Sequence, residues 1–163
     1  MKELVVMWVF DDESYQKILN IRKHYFNQST DNHPHITFAH YLSIDEQLLI
    51  EHTDAFIKEV EAFEVVCESV MTLNKYVVLK TSYTNKLKDY YALFHKKFTN
   101  LLNEYTTSEN FIPHITLTSS EHPINEVINA FKSLRLKIDK CEISWIKETG
   151  FEIIKTYHLK KAG

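Results

Sequence analysis

The tetrapeptide Pro34-His35-Ile36-Thr37 recurs as Pro113-His114-Ile115-Thr116, and a bulky apolar residue, Phe38 or Leu117, follows each copy. A strand sends successive side chains to opposite faces, so His35 and Thr37 leave one face while Ile36 and Phe38 leave the other. The second copy repeats that division. Each copy therefore presents an imidazole beside a hydroxyl. Among the nine histidines, only His35 and His114 have Ser or Thr two residues later. Two such pairs facing one another across a cleft supply a proton acceptor, a proton donor and two neutral hydrogen bonds, an inventory suited to cutting a phosphodiester. A fold that uses both copies must bring two distant strands to one site.

The repetition extends beyond the motifs. The valine-rich run at 4–10 is apolar on both faces and reads as a buried strand ended by Asp11 and Asp12. Asp12 or Ser14 caps a helix over about 15–25, with Tyr15, Ile18, Leu19, Arg22 and Tyr25 or Phe26 on one face. A polar loop at 27–33 leads to the first motif strand, 35–42, and Ser43 and Asp45 open a helix over about 44–60. Strands at 63–73 and 76–82 join through an Asn74-Lys75 turn.

The order then restarts. The run at 76–82 takes the part of 4–10, a helix follows over about 85–103, and the second motif strand lies at 114–119. A short helix at 123–134 and a hairpin of 136–147 with 151–160, turning at Thr149-Gly150, close the chain. Similar intervals separate His35 from His114, Leu4 from Tyr76, and Cys67-Glu68 from Cys141-Glu142. The order β, α, motif β, α, β, met twice, predicts an α+β fold. Two antiparallel sheet lobes, with helices outside and a pseudo-twofold between them, flank a central cleft. Residues 1–163 form one bilobal domain in this reading, with pseudo-repeats of about 1–73 and 74–163.

A 44% hydrophobic, 25% charged composition is globular, and ten Phe and nine Tyr suffice for a core and a lined cleft. The formal charge is −3 and the only arginines are Arg22 and Arg135. Long duplex nucleic acid is held mainly through its phosphates, so a mildly acidic chain without a basic run argues for a small nucleotide or a short RNA or oligonucleotide. Cys67 and Cys141 stand without a ladder of further cysteines and read as reduced thiols. The run at 4–10 is too short for a membrane span or an export signal, so the expectation is a cytoplasmic monomer.

On the duplicated His-x-Thr motif and this element order, the chain resembles the 2H phosphoesterase superfamily. That superfamily includes bacterial 2′-5′ RNA ligases and 2′,3′-cyclic phosphodiesterases. The resemblance implies a catalytic pair, His35 and His114, with Thr37 and Thr116 binding phosphate oxygens and no metal or other cofactor required. One histidine, neutral, takes a proton from the attacking water or hydroxyl; the other, as imidazolium, protonates the leaving oxygen, each near its effective pKa at neutral pH. Some members place arginines near the cleft. With Arg22 and Arg135 both assigned to helix-related segments, no such clamp is expected here.

Tyr41 has the strand parity of His35 and Thr37, and Trp8 lies on a neighbouring strand, so both are candidates to line the substrate site and stack on a base. Lys80, near a strand end, reads as solvated. Two rival functions stand beside the phosphoesterase. A zinc hydrolase would use His33, His35 and His114, but metal ligation leaves the repeated threonine unexplained, and Ile112 replaces His33 in the second copy. A non-catalytic module would bind nucleotides or RNA ends in the same cleft.

Overall fold

The computed structural model describes residues 1–26, 33–119 and 121–162. The polar loop expected at 27–33 lies outside them except for His33. The first half of the chain runs β1 (Lys2–Phe10), α1 (Asp12–Phe26), β2 (His35–Ile44), α2 (Glu46–Ile57) and β3 (Phe63–Leu73). The second half runs β4 (Tyr76–Thr81), α3 (Asn85–Phe94), β5 (His114–Ser119), α4 (Asn125–Ala130), β6 (Leu134–Lys147) and β7 (Gly150–His158).

The sheet order is β2-β1-β6-β3-β4-β5, with β7 also paired to β6, and every pairing is antiparallel. Exchanging β1, β2 and β3 for β4, β5 and β6 turns this order into its own reverse, which is the pseudo-twofold of a duplicated α+β fold. The axis passes between β3 and β6. Both strands that meet there are long, and β6 serves two lobes. Its first residues, Leu134 to Ile138, pair with Cys67 to Phe63 of β3, while Ile138 to Trp145 pair with Phe10 to Leu4 of β1. Each half thus lends its last strand to the other half's sheet.

Local chemistry fixes the connections. Asp11, one residue before the expected cap, accepts at Oδ1 from the Ser14 amide (2.9 Å), and the Ser14 hydroxyl accepts from the Lys137 amide (2.8 Å), clasping the start of α1 to β6. Asp45 caps α2, its carboxylate accepting from the Leu48 amide at 3.0 Å. Asn74 carries the left-handed turn between β3 and β4 (φ 54°), which Asn tolerates, and Gly150 at φ 123° opens β7 where a side chain would be strained.

The helix expected over 85–103 ends at Phe94. The His95 ring turns back to donate from Nε2 to the Phe38 carbonyl (2.8 Å), and Phe98 takes a left-handed conformation (φ 64°) that reverses the chain. Two 3₁₀ turns follow, Thr99–Leu101 and Glu104–Thr106. The helix expected over 123–134 is likewise reduced to Asn125–Ala130, because β6 already begins at Leu134.

The core lies between the sheet and its helices. Trp8 stacks on Phe38 with ring centroids 4.5 Å apart and meets Phe56 of α2, Phe63 of β3 and Tyr90 of α3. Cys67 and Cys141 are free and buried, and burial raises both thiol pKa values, that of Cys67 to about 11. Among the described residues, no helix is long and apolar enough to cross a membrane.

Candidate active site

Both motif strands carry the same irregularity. Along the β1–β2 pairing, Met7 faces Thr37 but Val6 faces Ala39, so Phe38 is an extra residue. Along β4–β5, Val78 faces Thr116 but Val77 faces Thr118, so Leu117 is the extra residue. A bulge of this kind bends the strand and shifts side-chain parity beyond it. Ahead of each bulge the expected alternation holds: Ile36 and Ile115 are buried, while His35, Thr37, His114 and Thr116 are half-buried. These four residues line one cleft of about 770 Å³, together with Arg22 and Phe151.

The two imidazoles are held in the same way. His35 donates from Nδ1 to the carbonyl of His33 (2.8 Å), and His114 donates from Nδ1 to the carbonyl of Ile112 (2.6 Å). The intervening proline forces the residue before it into an extended conformation, which brings that carbonyl beneath the ring. A carbonyl only accepts, so the proton sits on Nδ1 and the neutral ring keeps its lone pair on Nε2, the nitrogen needed for proton transfer.

Burial lowers the pKa of His35 to about 4, opposed by its bond to His33 and aided by the charges of His33, Arg22 and His114. Burial also lowers His114, opposed by its bond to Ile112. Both rings are therefore biased to the neutral form, in contrast to the expected poise near neutral pH.

Arg22 corrects another expectation. On α1 the buried positions are Ser14, Ile18, Arg22 and Phe26, one per turn, and α1 packs against β5 of the other half. Arg22, 3% exposed, donates from Nη2 to the Thr116 carbonyl at 2.7 Å. It is a cationic wall of the cleft, and its place on an otherwise apolar helical face was the signal for it. Arg135 lies on β6 rather than near a helix, and forms an exposed ion pair with Glu64 at 3.0 Å.

Tyr41 and Trp8 do not line the cleft. Trp8 is 1% exposed and Tyr41 fully buried, both within the core. Tyr41 follows the Phe38 bulge, so it faces the core beside Leu4, while His40 takes the cleft-side parity. Lys80 is exposed and does not line the cleft.

The three histidines of the zinc reading lie near one another but form no metal-holding group. His33 turns its Nε2 to Glu142 at 3.1 Å, and among the described residues no group of three or more His, Cys, Asp or Glu side chains is arranged to hold a metal.

The fold is that of known phosphoesterase structures. A crystal structure described only as a phosphoesterase matches with a TM-score of 0.69 at 13% identity, over 99% of this chain and 100% of its own. The protein TT0787 of Thermus thermophilus matches with the same TM-score, identity and coverage. E. coli LigT complexed with 3′-AMP matches with a TM-score of 0.63 at 12% identity, over 98% of this chain and 99% of its own. By sequence, no curated protein matches. The family model of the 2′-5′ RNA ligase superfamily matches residues 10–149. On that match, which spans both motif strands, the chain belongs to the 2′-5′ RNA ligase superfamily.

Proposed function

We propose that this chain is a metal-independent phosphoesterase that opens 2′,3′-cyclic phosphates or cuts 2′-5′ phosphodiesters in RNA-derived nucleotides or short oligonucleotides. The observation that carries the reading is the equivalent tethering of His35 and His114 through Nδ1, with Nε2 left for chemistry, in one cleft that also holds both threonines. Family membership supports it, as does the structural likeness to E. coli LigT, whose complexes include phosphate and 3′-AMP.

His35, beside the Arg22 cation and biased furthest to the neutral form, is the base. Its Nε2 takes a proton from water as the water oxygen bonds to phosphorus. The bond from phosphorus to the leaving ribose oxygen breaks, and that oxygen takes a proton from Nε2 of His114. His114 enters the step as imidazolium, a form favoured by the anionic phosphate bound next to it. Thr37 and Thr116 donate to the non-bridging oxygens as charge builds on them, and the Arg22 cation stabilises the same charge. One turnover leaves His35 protonated and His114 neutral, and exchange with solvent resets the pair.

The test is a product-resolved assay in EDTA, with a 2′,3′-cyclic nucleotide and a 2′-5′-linked dinucleotide offered separately. The proposal expects hydrolysis of at least one, with a single phosphate position in the product. Turnover that EDTA abolishes and zinc restores would favour the metal reading, and tight binding without turnover would favour a binding module.

A further inference from the structure

The cleft has a wall that neither motif contributes. The 3₁₀ segment after α3 lies along the free edge of β2, with Leu102 bridged to Tyr41 and the Asn103 amide donating to the His40 carbonyl at 2.6 Å. The His40 amide donates to the Thr106 hydroxyl at 3.2 Å. This places Asn103, Glu104 and Tyr105 in the cleft lining. Tyr105 is 38% exposed, while His40 beneath it is 8% exposed.

Both ring nitrogens of His40 are engaged. Nε2 lies 2.7 Å from Oε2 of Glu3, and Nδ1 lies 2.6 Å from the Tyr105 hydroxyl. A carboxylate only accepts, so Nε2 carries a proton. In the neutral ring Nδ1 is then an acceptor, and the phenol is its donor. Burial and the Glu3 carboxylate, with a smaller contribution from Tyr76, raise the phenol's pKa and keep its proton in place. Over a neutral His40 that proton is directed into the protein, and the oxygen of this cleft-lining tyrosine keeps only lone pairs for a ligand.

We propose that Tyr105 is a nucleoside-recognition residue whose hydroxyl, oriented by His40 and Glu3, accepts a hydrogen bond from a donor group of the bound nucleotide. This rests on the phosphoesterase reading for the class of ligand. The donor is either the ribose 2′-hydroxyl or the exocyclic amine of the base. Nothing in the sequence marks the triad, because Glu3, His40 and Tyr105 belong to three separate segments and match no local motif.

The experiment is titration calorimetry of the full chain with three probes: adenosine 3′-monophosphate, 2′-deoxyadenosine 3′-monophosphate and purine riboside 3′-monophosphate. Tyr105→Phe should weaken the first by about 3- to 10-fold, the range for one lost hydrogen bond. It should leave unchanged the analogue that lacks the donor, which identifies the donor as hydroxyl or amine. Glu3→Met, which leaves Nε2 without its acceptor, should weaken the same discrimination with the tyrosine still present, because nothing then holds the imidazole proton on Nε2 and the phenol's proton away from the cleft.

Equal affinities in wild type and Tyr105→Phe for all three probes would overturn the proposal. So would uniform weakening of all three, or a wild type that binds none. Because the readout is binding, a chain that hydrolyses nothing yet shows this pattern would end the phosphoesterase reading and leave the Tyr105 assignment standing.

Discussion

Arg22 and Thr116 belong to opposite halves of the duplication, yet the guanidinium of the first is bonded to the backbone carbonyl of the second at 2.7 Å. The helix that follows β1 therefore grips the motif strand of the other lobe. His95 does the corresponding work in reverse, reaching from the end of α3 to the Phe38 carbonyl on the first motif strand at 2.8 Å. The two bulged strands are thus each anchored by a side chain from the helix of the opposite half, and only one of the two anchors is a permanent cation.

Arg22→Met keeps much of the apolar stem and removes both the charge and the bond. The expected loss in kcat/KM is about 10- to 100-fold, in line with the ~1.5–3 kcal/mol of a hydrogen bond to a charged group. The titration of His35 should move upward, since a cation that disfavours its imidazolium is gone. Rates and the His35 proton resonance across pH check both statements. An unchanged rate with an unmoved resonance would remove Arg22 from the site.

Stability should depend on these histidines in a defined window. Burial lowers His35 and His95 to about 4, and lowers His114 as well, whereas an unfolded histidine titrates near ~6.5. Between those values the unfolded chain binds more protons than the folded one. Stability is therefore fully present above ~6.5 and is lost as pH falls toward the folded values. Melting temperature should drop between pH 6.5 and 5, and His95→Gln, which keeps a donor near the Phe38 carbonyl, should make that drop shallower. An equal or steeper drop in the variant would contradict the assignment.

Much of the arrangement was readable because it depends on short-range pattern. The duplicated motif, the restart of the element order at Tyr76 and the Asn74 turn each rest on a few adjacent residues, and the sheet order agrees with the duplication they imply. Tyr41 was misplaced because a bulge is invisible to alternation: one extra residue at Phe38 exchanges the faces of everything after it. In the wall, Asn103 ends a helical pattern that continues past Phe94, and Tyr105 falls in the stretch after it, to which the sequence pattern assigns no element. Where the helix ends, His95 makes a tertiary bond to the Phe38 carbonyl, a contact that local propensity does not encode. Arg22 stood on the apolar face of its helix in plain view, but its partner lies on β5, far along the chain.

The core position of Trp8 has a measurable consequence. As a core residue stacked on Phe38, it should cost ~3–5 kcal/mol of stability on conversion to alanine, and the milder Trp8→Phe should leave nucleotide preference as it was. Denaturant unfolding and competition binding among bases measure the two effects. A Trp8→Phe protein of normal stability with altered base preference would return Trp8 to the ligand site.

Thr37→Val and Thr116→Val should each raise the barrier by ~1–3 kcal/mol if a phosphate contact is lost. Neither hydroxyl titrates in the working range, so the pH–rate profile should fall in height and keep its limbs. A displaced limb in either variant would mean that the threonine acts through its histidine rather than on phosphate.

Two-histidine acid–base catalysis is tested by the pH dependence of kcat/KM in EDTA, measured for the wild type, His35→Ala and His114→Ala. With chemistry rate-limiting, the wild type should give a bell belonging to the coupled pair, displaced to the acid side of the kcat profile because both rings are lowered in the free cleft. Each alanine variant should lose at least ~100-fold in rate and one limb of the bell, the acid limb with His35 and the basic limb with His114. A wild-type profile with a single limb, or either variant keeping near-normal activity, would rule out paired catalysis by His35 and His114.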